Sequence, residues 1–345
     1  MSPTVHLLSA SEAASRLRVS TKALRLYEER GLLAPARTAA GYRLYGPDEM
    51  VRADEIVALR ALGLSLSQVA RVLEGDSESL ELALTAHEAT LEGEVRKLVN
   101  TMDKVRGLRA HLARGRVPRA AELAPLLRRS AEFNVAFDLP WPWGGERFEL
   151  SDIRPITYIV GSLGSGKTRL ALHLAEVLPN AVFLGLERLE DGGAVAAARL
   201  DADPALKLRV DQTLAWLVDE GAAASEALIA LLVGLEAEGA AVVVVDMVEQ
   251  GLDEPTQEAL IAHLRQRAMA GARPLFLMTR SSAILDLAAI DADEAILLCP
   301  ANHSPPTRVA PHPGAPGYEA VATCLASPEV RARTAGVIAW RPQAL

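Results

Sequence analysis

The stretch Gly161-Ser-Leu-Gly-Ser-Gly166-Lys167-Thr168 can be built in very few ways, and it constrains this 345-residue chain more than any other. Glycines at 161, 164 and 166 favour a tight loop over a helix or strand. Before it, Ile156-Thr-Tyr-Ile-Val160 is a short apolar strand; after it, Lys167 through Leu178 carries a helical pattern. A strand, a glycine loop and a helix bring backbone amides together at a positive helix end, which attracts an anion. The GxxxxGK[ST] spacing therefore predicts a phosphate-binding loop made of Gly161, Ser162, Leu163, Gly164, Ser165, Gly166, Lys167, Thr168 and Arg169. In it Lys167 reaches the outer phosphates and Thr168 holds Mg²⁺. The expected cofactors are ATP and Mg²⁺. No base-reading motif is visible, so adenine versus guanine stays open.

Two more strands complete an α/β reading. Ala240-Ala-Val-Val-Val-Val-Asp246 is a buried strand ending in an acid, the pattern of a magnesium-binding carboxylate, and Pro274-Leu-Phe-Leu-Met-Thr279 is another buried strand with a polar end. Together they predict a parallel α/β nucleotide-binding domain over residues 146–345, with its ligand at the C-terminal edge of the strands. Residues 116–145 read as a linker, basic and Pro-containing at first and then punctuated through Phe137-Asp-Leu-Pro-Trp-Pro-Trp143. The Pro-rich stretch from Pro300 to Gly317 reads as a surface loop without a role.

In order, these pieces resemble the ABC-type ATPases over about residues 145–300. Asp246-Met-Val-Glu-Gln-Gly-Leu-Asp253-Glu-Pro looks like that family's acidic strand end and following loop, and Met278-Thr-Arg280-Ser-Ser looks like its switch-histidine segment. Two departures follow. Met247 stands where the family has its catalytic glutamate, and Arg280 stands where it has its histidine. Met cannot polarise water, so the resemblance implies a degenerate ATPase in which Glu249 is the candidate substitute base and Arg280 a candidate phosphate sensor. Glu220-Gly-Ala-Ala-Ala-Ser225 occupies the place of the signature segment but lacks its Ser-Gly-Gly run.

At the other end, Ser9 to Val19 fits a short helix capped by Ser9 or Ser11, and Ser20-Thr21 caps a second one through Leu33. Gly41-Tyr-Arg-Leu-Tyr45 alternates beside turn residues and reads as a strand pair, a wing; Pro47-Asp-Glu and Ser65-Leu-Ser-Gln68 open two further helices. Thr21-Lys-Ala-Leu-Arg25-Leu-Tyr27-Glu-Glu-Arg-Gly31, Gly41-Tyr-Arg43-Leu-Tyr45 and Leu62-Gly-Leu-Ser-Leu-Ser-Gln-Val, in that order and spacing, resemble the MerR family over residues 5–75. The resemblance implies a winged helix-turn-helix DNA-binding domain over residues 1–75. In it Thr21, Lys22, Arg25 and Tyr27 enter the major groove, and Arg43 and Tyr45 grip the backbone. Packing in the small core is the competing use of Tyr27, Tyr42 and Leu44.

Over residues 76–115, apolar residues at Leu80, Leu84, Leu91, Val95, Leu98, Met102, Val105, Leu108 and Leu112 step by threes and fours, with His87 in the gap. Such a seam needs a partner helix. By the same resemblance the partner is the identical helix of a second subunit, giving a coiled-coil homodimer.

The net charge of −8 is uneven, since residues 1–75 hold ten Lys and Arg against eight Asp and Glu. Two cysteines, Cys299 and Cys324, give neither a disulfide framework nor zinc spacing. No apolar run is long enough to span a membrane and Met1–Ala10 lacks a signal-peptide layout, so a cytoplasmic protein with no membrane partner is expected. The leading expectation is a multidomain regulator that binds double-stranded promoter DNA, reaches RNA polymerase indirectly through that DNA, and uses ATP-Mg as effector with slow or absent hydrolysis. The alternatives are an active DNA-associated ATPase and a small-molecule kinase fused to a regulator head.

Overall fold

Serine caps set the first elements. In the computed structural model, which describes residues 7–113, 135–269, 272–291 and 293–325, Ser9 caps α1 (Ala10–Leu17), and Glu12 reaches back to the Ser9 amide to close a capping box. Ser20 caps α2 (Thr21–Glu29) by accepting the Ala23 amide at 3.0 Å. The sequence pattern carried this helix to Leu33, but it stops at Glu29 because Gly31 turns left-handed (φ 70) and the Leu32 amide returns to the Tyr27 carbonyl. Strands β1 (Leu8–Ser9), β2 (Ala36–Arg37) and β3 (Arg43–Tyr45) form a small antiparallel sheet in the order β1-β3-β2, which is the wing. Helices α3 (Pro47–Ala61) and α4 (Leu66–Leu73, capped by Ser65) close the core around Leu24, Tyr27, Tyr45, Ile56, Leu64 and Val69. Asp76 then accepts the Glu78 and Ser79 amides at the start of α5 (Ser77–Ala113).

The chain divides into two units, residues 1–132 and 133–345. The second unit begins earlier than the expected boundary at 146. Strands β4 (Val135–Asp138) and β5 (Arg147–Leu150) pair as a hairpin, and its Phe137, Leu139, Trp143 and Leu150 share a core with Ile159, Leu170 and Leu174. Part of the expected linker is thus domain; its basic first part, 116–134, lies outside the described residues.

The main sheet of this unit has the order β11-β10-β6-β9-β8-β7 and is parallel except for β11. Its strands are β6 (Ile156–Gly161), β7 (Ala181–Leu184), β8 (Val242–Val245), β9 (Leu275–Met278), β10 (Glu294–Cys299) and β11 (Thr307–Val309). The strands β6, β8 and β9 are buried throughout, which is why each reads as an apolar run, interrupted in β6 only by Thr157. Helix α6 (Lys167–Val177) packs on one face. On the other face pack α7 (Ala194–Ala202), α8 (Pro204–Asp219), α9 (Glu226–Glu236) and α10 (Glu254–Met269), and α11 (Tyr318–Leu325) joins the same cluster. Among the described residues no helix is long and apolar enough to cross a membrane.

Candidate functional site

At the C-terminal edge of the main sheet, β9 lies between β6 and β8, so the residues that follow these three strands meet at one place. Gly161 ends β6 opposite Cys299; a Cβ there would lie 2.5 Å from the Cys299 carbonyl oxygen, so only glycine fits. Gly166 is left-handed (φ 90), and a Cβ would strike the Trp143 ring at 2.6 Å. Lys167 is buried at the first position of α6 and donates to the Gly161 and Ser162 carbonyls at 2.8 and 2.7 Å. Burial pulls its pKa down, since the site disfavours an uncompensated charge. Leu163, Gly164, Thr168 and Arg169 are exposed around it.

Asp246 follows β8 and is only 6% exposed. Burial pushes its carboxyl up, and the nearby charges of Arg188 and Lys167 oppose that rise. Beyond it, Met247 is left-handed (φ 43) and redirects the chain, so that Glu249 Oε1 accepts the Arg280 amide just past β9 at 2.8 Å. The side chain two residues on is thus brought to the edge between β8 and β6. Asp253 caps α10 by accepting the Thr256 amide, and Ser225 caps α9. The segment in the signature position therefore spends its serine on a helix end.

Nine buried side-chain atoms among the described residues lack a hydrogen-bond partner, and five of them gather here: Ser162 Oγ, Ser165 Oγ, Arg188 Nε, Asp246 Oδ1 and Glu249 Oε2. Native interiors leave few such groups, each with a cost of about 1–3 kcal/mol. Serine hydroxyls and an ammonium beside a helix start fit phosphate oxygens, and carboxylates next to them fit a hard divalent cation.

Three features were missed in the sequence. Trp143 lies over Gly166 and donates to the Ser304 carbonyl at 3.0 Å, while Trp141, on the same β4–β5 loop, is 76% exposed. The stretch Pro300–Gly317 is not merely a surface loop, because it contains β11 and places His303 Nε2 3.1 Å from the Gly164 carbonyl oxygen. The alternating prolines and tryptophans of Pro140-Trp-Pro-Trp143 were the available signal. Arg188, which reaches across from the end of β7, gave none.

In the first unit, Thr21 and Lys22 are exposed at the start of α2. Arg25 pairs with Glu29 at 2.7 Å, and Arg43 pairs with Glu28, which also takes Arg37. The Arg43 hydrogen bond is the main reason the Glu28 carboxyl is held below its usual range. The tyrosines correct the sequence reading in part: Tyr45, expected to grip the DNA backbone, is buried in the core, Tyr27 is buried as its competing core use has it, and Tyr42, at the wing's turn, is 74% exposed. On α5, Leu84, Leu91, Val95, Met102, Val105 and Leu112 are exposed in the single chain, Leu80 and Leu108 are half-buried, and the Leu98 side chain lies outside the described residues.

A helix-turn-helix followed by a wing defines the class as a winged-helix regulator head. Residues 8–76 match the family described as MerR HTH family regulatory protein. A probable heavy metal-dependent transcriptional regulator of Haemophilus influenzae is 33% identical over 105 residues, which cover 28% of this chain and 82% of that protein. The HTH-type transcriptional regulator HmrR of Sinorhizobium medicae is 34% identical over 31% of this chain and 74% of its own length. This chain belongs to the MerR HTH family. It spans 42% of another relative, the transcriptional regulator BrlR of Pseudomonas aeruginosa, at 32% identity. Among solved structures, a MerR-family transcriptional regulator from Bacillus cereus is 25% identical and aligns over 35% of this chain and 94% of its own, with a TM-score of 0.24. A putative metal-chelate type ABC transporter is 15% identical over 53% of this chain and 84% of its own, with a TM-score of 0.37.

Proposed function

We propose that the protein is a homodimeric, DNA-binding transcription regulator whose second unit binds ATP-Mg as its effector. The five unpartnered buried polar atoms near Lys167 carry this reading, because two serine hydroxyls of the glycine loop and groups from the ends of β7 and β8 leave phosphate- and cation-seeking atoms at one sheet edge. In it Ser162, Ser165, Lys167 and the loop amides hold phosphates, and Thr168 and Asp246 hold Mg²⁺. The bound cation screens phosphate charge. The exposed Trp141 face beside the loop suits a nucleotide base. Met247 removes the acid from its usual place, so turnover is slow, and Glu249 is the acid that remains close.

At the other unit, exposed Thr21 and Lys22 together with Arg25 and Arg43 meet DNA, the two arginines exchanging glutamate for phosphate. The exposed α5 seam pairs with its copy. A dimer of this kind distorts a promoter and so acts on RNA polymerase through the DNA, and ATP-Mg biases the distortion by binding one state better than the other.

Titration calorimetry tests the effector assignment. The full chain is expected to bind ATP-Mg, and Lys167→Ala, with an unchanged circular dichroism spectrum, is expected to lose at least about a hundredfold in affinity, the scale of one charge-assisted phosphate clamp. Equal affinity in both proteins contradicts it. A second reading, an active ATPase, is favoured by one observation: Glu249 is anchored at one oxygen and unpartnered at the other, as a base awaiting water must be.

A further inference from the structure

We propose that Arg188 is a positioning residue for the magnesium end of the site, an inference that rests on the ATP-Mg reading above. Arg188 lies in the single turn Leu186–Leu189 that follows β7. Its guanidinium is spent on main-chain carbonyls: Nη1 donates to Gly185 at 2.7 Å and Asp246 at 3.0 Å, and Nη2 donates to Met247 at 2.9 Å. It thereby joins two neighbouring strand ends, β7 and β8, which are in register at Leu184 and Val245.

The carbonyls it holds are not arbitrary ones. Asp246 carries one of the two acids, so a donor on its carbonyl holds the backbone from which that carboxylate springs, and Met247, next in the chain, is left-handed, a conformation that side chains with a Cβ rarely adopt. Two donors on consecutive carbonyls oppose relaxation of that turn. The same turn brings the Val248 amide onto the Met278 carbonyl at 3.0 Å and swings Glu249 to the Arg280 amide. One arginine thus steadies, through backbone carbonyls, the turn that carries both acids. Its Nε, like Asp246 Oδ1, is buried without a partner, so the network around this turn is incomplete in polar terms.

Groups that orient a metal ligand without touching the metal typically contribute about 10–100-fold to metal affinity. ATP binding to the full chain, measured by calorimetry with Mg²⁺ and again with EDTA, separates the metal-linked gain from phosphate binding as such. Arg188→Ala is expected to lose about tenfold of the Mg²⁺-linked gain while keeping its EDTA affinity within about twofold. Arg188→Lys, which retains one donor to the turn, is expected to lose less. Asp246→Asn removes the gain directly, and adding Arg188→Ala to it is expected to change nothing further, because both act on one group. A full Mg²⁺ gain in Arg188→Ala overturns the inference, as does a proportional loss in EDTA, the mark of a merely structural residue. If the wild type binds no ATP, or binds it equally with and without Mg²⁺, the ATP-Mg reading fails and the inference falls with it.

Discussion

The two units handle their charges in opposite ways. In the head, three of the arginines already have anions: Glu28 takes Arg37 and the half-buried Arg43, and Glu29 takes Arg25. Its only buried side-chain atom without a partner among the described residues is Tyr45 Oη. In the second unit, five such atoms lie together at one sheet edge. On the proposed reading, the head exchanges its ion pairs for a polyanion, while the second unit leaves polar groups that a charged ligand would complete. The difference predicts graded, salt-dependent binding at the first and near all-or-none losses at the second.

The largest effect that would sharpen this contrast concerns neither charge. Leu91→Glu with Val95→Glu places like charges on the exposed α5 seam and should convert a dimer to a monomer in sedimentation, taking DNA affinity with it. A variant that stays dimeric places the subunit interface elsewhere. Next in size, Glu249→Gln should lower steady-state phosphate release from an already slow rate by about a hundredfold, the lower range for a general base. Unchanged release would leave the carboxylate a purely structural anchor of the Arg280 amide.

Smaller effects belong to the head. Arg43→Ala should weaken binding to every DNA sequence alike and flatten the salt dependence by about one unit of slope, as the loss of one phosphate contact requires. A selective loss on one sequence would make Arg43 a base reader. Smallest is the acid response of Glu28. Its folded-state pKa is depressed, chiefly by Arg43, so its contribution is present above the unfolded value of about 4.3 and is lost as pH falls through the folded one. Melting from about pH 5 down to about pH 3 should therefore cost the wild-type head more than Glu28→Gln. Parallel curves for the two would show that the two arginine pairs add no stability.

Local rules were legible in the chain and distant ones were not. Ser9, Ser20 and Ser65 announce their helices because a cap is a contact three residues long, and the glycine loop announces itself because its chemistry is contiguous. The end of α2 was misplaced because apolar residues continue past Gly31 and only the left-handed turn interrupts them. Tyr45 was assigned to the DNA backbone, and Tyr27 and Tyr42 were each left open to core packing; which tyrosine is buried depends on which faces the core residues of other elements, such as Ile56, a tertiary matter. Arg188 was invisible for the same reason, since its partners lie 58 and 59 residues away and are backbone atoms.

If nucleotide in one unit alters DNA binding by the other, the affinity of the full chain for a DNA fragment carrying its own promoter, at fixed salt, must differ with and without ATP-Mg, and the comparison is made in wild type and in Lys167→Ala. An effector coupling of ordinary size predicts a change of at least about fivefold in the wild type and none in the variant. An affinity that is the same with and without ATP-Mg in both proteins would contradict it.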